Sequence, residues 1–124
     1  MAKTAIKHLK YGYRGIFKIT MRRVTSRAFP SDNLVGEPAT LARFIRAART
    51  QSGLTLEDAA LVIGVAKSTL QKIETNPATV SFAIVLEVAR QLGVTLFAVP
   101  AEQREAVRRM IARLPDASSR DSKI

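Results

Sequence analysis

Five residues between positions 67 and 72 carry the clearest chemistry in this chain: Lys67, Ser68, Thr69, Gln71 and Lys72. A lysine can donate to guanine O6 and N7, and a glutamine can pair bidentately with adenine. The hydroxyls of Ser68 and Thr69 can bond phosphates or base edges. Lys72, further along, can reach either. Leu70 and Ile73 lie among them, three apart. A helix over residues 66–74 therefore turns two apolar side chains one way and the polar set to its outer faces. Taken alone, the same pattern fits any solvated amphipathic helix with two lysines.

Other chemistries lack their parts. There is one histidine, His8, with no acid near it in sequence, and there is no cysteine. Thiolate metal sites, cysteine nucleophiles and disulfides are thereby excluded. No His/carboxylate spacing suits a metal, and no glycine-rich phosphate loop occurs. Ser68 and Thr69 have no base to activate them. Glu57 and Asp58 are adjacent, so on a helix they point about 100° apart and suit a helix cap better than a catalytic pair. No enzyme activity, cofactor or metal is expected.

The elements around residues 66–74 must position that helix. Residues 39–52 show helical spacing at Leu41, Phe44, Ile45 and Ala48, and Gly53 stops them. Thr55 caps a second helix, with Asp58 three residues on. That helix is apolar nearly all round, from Leu56 to Ile63, so part of its surface calls for a cover. Gly64 is the turn into the third helix, which Asn76-Pro77 ends. Two short helices joined by a tight turn, the second basic and hydroxyl-rich, are the layout of a helix-turn-helix. Ser81 caps a fourth helix with the stripe Phe82, Val85, Leu86, Ala89, Leu92, and Gly93 closes it. Residues 94–99, VTLFAV, read as a strand. A lone strand invites pairing with a second copy of the chain; the alternative is an extended apolar segment lying on the core. Pro100 opens a last helix to about Leu114, with the stripe Val107, Met110, Ile111, Leu114, and residues 115–124 read as a frayed tail.

Charge divides the chain unevenly. The net charge is +10, which points to a polyanion partner. Residues 1–30 hold eight Lys/Arg and no acid, whereas residues 31–124 hold twelve and ten. Residues 1–36 thus read as a basic arm and linker, 37–100 as the helical domain and 101–124 as a C-terminal helix and tail. Within the arm, Phe17, Ile19 and Met21 alternate with polar residues, a weak strand signal. Tyr11, Tyr13 and Phe17 could stack on bases; a disordered tail is the other reading. Met21 offers an alternative start. No apolar run approaches the ~20 residues of a membrane span, so a cytoplasmic, nucleoid-associated protein is expected.

Residues 41–97 resemble the Xre/Cro-type helix-turn-helix family. The matching positions are Ile45, Arg49, Gly53, Thr55, Glu57 and Ala60, then Ile63-Gly64-Val65 at the turn. They continue through Ser68, Thr69, Leu70, Ile73 and Glu74 to Ala89, Leu92, Gly93 and Leu96. The resemblance implies an all-α, lambda-repressor-like domain of four to five helices that represses transcription as a homodimer on a palindromic operator. Its half-sites would lie about 34 Å apart. Glu74-Thr75-Asn76-Pro77, the helix through Leu92 and the segment 94–99 are similar to the HipB-like antitoxins. That likeness implies a short C-terminal dimerising β-strand, autoregulation of a toxin-antitoxin operon and a HipA-like kinase toxin as partner. Lys67, Ser68, Gln71 and Lys72 are the candidates for base edges of double-stranded DNA. Thr55, Thr69 and Arg49 are candidates for backbone contacts or their support, and Glu74 for holding the fold by pairing with Arg49. Leu56 stands where the family often has Gln, and Ala66 where it has a hydroxyl or basic residue. A stand-alone or phage-type regulator, and an interaction module that leaves DNA alone, are the alternative readings.

Overall fold

The computed structural model describes residues 24–115. The arm readings at Tyr11, Tyr13, Phe17–Arg22 and Met21, and the tail at 116–124, lie outside the described residues. Among the described residues the fold is all-helical. The helices are α1 (Pro38–Gln51), α2 (Leu56–Ile63), α3 (Lys67–Thr75), α4 (Phe82–Gln91) and α5 (Arg104–Ala112), with single 3-10 turns at Pro77–Thr79 and Ala101–Gln103. No helix among them is long and apolar enough to cross a membrane.

The described chain falls into two compact units, one of residues 24–31 with Val35–Thr95 and one of Asp32–Leu34 with residues 96–115. In the first unit, α3 packs against α1 and α2. Ile45, Leu54, Leu70, Ile73 and Val88 are its fully buried large side chains. Helix starts and stops follow the sequence signals. Pro38 stands in the first turn of α1, where its missing N–H costs nothing. The Thr55 Oγ1 accepts from Asp58 N at 3.0 Å, and the Ser81 Oγ accepts from Ile84 N at 3.3 Å. Gly64 closes α2 at φ 90°, ψ 33°, a left-handed conformation that a residue with a side chain adopts at a cost. A Cβ built there would meet nothing within 4 Å. Backbone conformation rather than crowding requires glycine at this turn.

Three expectations are corrected. First, residues 94–99 form no strand, and none is present among the described residues. A strand needs a neighbour to complete its ladder, and no described segment supplies one. Second, α4 buries Val85, Val88, Ala89 and Leu92, while Phe82 and Leu86 are exposed. The stripe is turned because Val88, absent from the sequence reading, takes the inner position. Third, Pro100 does not open an α-helix directly: a 3-10 turn precedes α5, which ends at Ala112. The expected apolar excess on α2 is mostly absorbed, since Ala59, Ala60 and Val62 are buried and Leu61 is the large side chain left exposed.

The second unit has a different character. No residue of α5 is buried. Val107 and Ile111 are half-buried, and Met110 and Leu114 are exposed. Arg108 bonds Asp32 at 2.8 Å and Glu105 at 3.2 Å, all on exposed side chains.

Candidate nucleic-acid interface

The third helix has one inward and one outward face. Leu70 and Ile73 are wholly buried, and Lys67, Ser68, Gln71 and Lys72 are exposed. At 100° per residue, those four side chains span an arc of about 140° centred opposite the buried pair. Lys67 and Gln71 are one turn apart on the same ridge, and Ser68 and Lys72 form the ridge beside it. The outer face therefore offers ammonium, amide and hydroxyl donors over one continuous patch. Neither lysine has an ion-pair partner among the described residues, so both charges stay available to an external anion. Thr69 is half-buried at the edge of this face.

A buried ion pair fixes the helix from behind. The Arg49 Nε and Nη2 donate to Glu74 Oε2 and Oε1 at 2.6 and 2.9 Å. The Arg49 Nη1 donates to the Leu54 carbonyl at 2.7 Å. The two side chains are 8% and 4% exposed. One guanidinium thus ties the end of α3, the last turn of α1 and the turn before α2 into a single arrangement. The pairing of Glu74 with Arg49 was expected; the depth of burial was not. Arg49 was read as a backbone contact or the support of one, and its side chain is turned inward, each of its three nitrogens donating to Glu74 or Leu54.

Thr55 sits half-buried at the start of α2, its oxygen accepting the Asp58 amide. The hydroxyl proton remains free to be given to an outside acceptor. At the start of α3, Ala66 offers no side-chain cap, so the first-turn amides there lack an internal partner of that kind. The helix dipole favours an electronegative group at the N-terminus of each of these two helices.

Two features escaped the sequence reading. Thr75 lies on the same outward arc as Gln71 and donates its hydroxyl to the Gln71 carbonyl at 2.8 Å; the four-residue spacing from Gln71 was its signal. The segment before α1 is also docked. Arg27 N donates to Thr50 Oγ1 at 2.9 Å, Gln51 Nε2 donates to the Arg27 carbonyl at 2.8 Å, and the Phe29 and Phe44 rings lie 5.8 Å apart. Only the aromatic residue at 29 hinted at this.

Residues 45–99 match the family model described as Helix-turn-helix. The segment that carries α3 and its buried clamp thus has a helix-turn-helix fold and is similar to that family. The chain is also similar to a solved structure of a HipB variant in complex with an O2 20mer. The two share 24% identity with a TM-score of 0.52, over 57% of this chain and 99% of that one. The likeness is one of fold. No curated protein matches the chain.

Proposed function

We propose that this protein is a sequence-specific DNA-binding repressor that acts as a homodimer on a palindromic operator and serves as an antitoxin controlling its own operon. The observation that carries the reading is the outward face of α3. It holds Lys67, Ser68, Gln71 and Lys72 on one exposed arc while Leu70, Ile73 and the Arg49–Glu74 clamp hold it from behind. Lys67 and Gln71 read base edges in the major groove. Lys72 and Ser68 reach a base or the adjoining phosphates. Thr55 and Thr69 donate hydroxyls to the backbone on either side.

Dimerisation is supported by the segment 94–99, a β-branched and aromatic run in which Phe97 is 84% exposed and Val99 is exposed too. Pairing two such segments across a two-fold axis supplies each with the ladder that the single chain lacks. The HipB likeness supports the antitoxin role. A HipA-like kinase then docks on the C-terminal helix and the turn after it, where Val107 and Ile111 are half-buried and Met110 and Leu114 exposed; on α2, Leu61 is the large apolar side chain left exposed. Such a protein works in the cytoplasm on the nucleoid.

The test is selection of bound duplexes from a random pool at moderate salt. An enriched palindrome with half-sites about 34 Å apart supports the dimeric reader. A pool without enrichment rejects base recognition and leaves a protein-interaction module. Purification of the tagged protein from its own cells, with or without a kinase-sized companion, separates an antitoxin from a stand-alone regulator.

A further inference from the structure

The strap formed by residues 24–30 fixes Arg27 at the edge of the helix-turn-helix. Both main-chain polar groups of Arg27 are held by the last turn of α1, its N–H by Thr50 and its carbonyl by Gln51. Phe29 packs its ring against Phe44 on the same helix. The peptide unit is thereby anchored at two points while the side chain stays exposed. Among the described residues no carboxylate pairs with its guanidinium.

The place of the anchor matters. From Gln51 the chain passes through one tight turn, closed by Gly53 N to Thr50 O at 3.0 Å and Leu54 N to Arg49 O at 3.2 Å, and reaches Thr55 at the start of α2. Four residues span at most about 14 Å even when extended, so Gln51, whose side chain holds the Arg27 carbonyl, lies within that distance of Thr55. The Arg27 side chain is long and exposed. Successive phosphates along a strand can be taken by separate groups on one protein edge. Arginine suits the task, since its planar fork bonds a phosphate bidentately.

We propose that Arg27 is a further phosphate-binding residue of the DNA interface, presented beside Thr55 by the strap and not by the charge of the arm in general. The proposal rests on the DNA-binding reading above. It assigns Gln51 and Thr50 a positioning role: they hold the Arg27 main chain without touching the nucleic acid.

The experiment uses the full chain and a mixed-sequence 30-base-pair duplex as probe, with affinity followed by fluorescence anisotropy over a salt series. Arg27→Ala should weaken binding and flatten the slope of log affinity against log salt by about 1 per bound protomer. Arg27→Lys should restore the slope and only part of the affinity, because a lysine lacks the fork. Gln51→Ala is the decisive variant. It leaves the net charge unchanged and releases one anchor, so it should lower affinity in the same direction as Arg27→Ala. Circular dichroism of each variant checks that the fold is intact. An unchanged slope for Arg27→Ala, with the parent protein binding normally, overturns this inference alone. Parental affinity for Gln51→Ala overturns the positioning by the strap. A parent that binds no duplex overturns this inference together with the function on which it rests.

Discussion

The helix-turn-helix unit and the unit that ends the described chain use similar residues to opposite effect. In the first, Leu70, Ile73 and Val88 vanish into a core, and a single arginine is buried against a glutamate. In the second, α5 carries an equally regular apolar stripe and its own arginine ion pairs, yet buries no residue. The amphipathic pattern is the same; the surroundings differ. A stripe becomes a core only where other elements arrive to cover it, and an ion pair becomes a structural clamp only where water is removed from it. The first unit therefore has a core of its own. The second presents a surface that gains stability when something covers it.

Breaking the two ion pairs in parallel gives the sharpest contrast. Glu74→Ala strands the buried Arg49 charge and should cost about 3–5 kcal/mol, whereas Arg108→Ala, at an exposed pair, should cost about 0–1 kcal/mol. Thermal denaturation followed by circular dichroism measures both, and equal losses would dissolve the distinction. The apolar residues offer a second comparison. Leu70→Ala should cost about 2–5 kcal/mol through lost burial and the cavity left behind, and Met110→Ala should stay within about 0.5 kcal/mol. A large effect at Met110 in dilute monomer would mean that α5 is covered after all.

The face of α3 should respond in binding and not in folding. Lys67→Ala is expected to leave the melting temperature unchanged and to cost about 1–3 kcal/mol of operator affinity, with relaxed preference at one base pair. Competition among duplexes altered at single positions reads that preference. Ser81→Ala should destabilise the first unit by about 1 kcal/mol through loss of the α4 cap, without touching binding. The smallest effect concerns the exposed end of α4. Side-chain hydrogen bonds from Arg90, and then from Gln91, hold the Glu87 carboxyl below its ordinary value of 4.5. A lowered acid favours the folded state above the unfolded pKa, and that contribution disappears as pH falls through the folded value. Arg90→Ala should move the Glu87 titration, followed by NMR, back toward the ordinary value; an unmoved curve would remove Arg90 as the cause.

Much of this architecture was readable from residue order alone, for identifiable reasons. Thr55, Gly64 and Ser81 act through bonds a few residues long, so their roles follow from local spacing. The outward set on α3 was legible because Leu70 and Ile73 define the inner side. Long-range packing was less accessible. The rotation of α4 that buries Val88 and exposes Phe82 depends on which helices lie alongside, and periodicity does not encode that. The strap at Arg27 depends on Thr50 and Gln51, more than twenty positions away. Residues 94–99 have the composition of a strand, but a ladder is a property of two segments, and one segment's composition cannot provide the other.

The turn at Gly64 carries a consequence of handedness. Its dihedral angles are the mirror image of those that an ordinary helical residue prefers, and open space surrounds the missing methyl. A D-alanine introduced there by chemical synthesis would sit in its own favoured backbone well. By restricting the denatured chain it should strengthen the protein by about 0.4–1 kcal/mol, where the natural enantiomer would weaken it. The connection between the two helices of the motif thus runs through a conformation of the opposite hand at one residue.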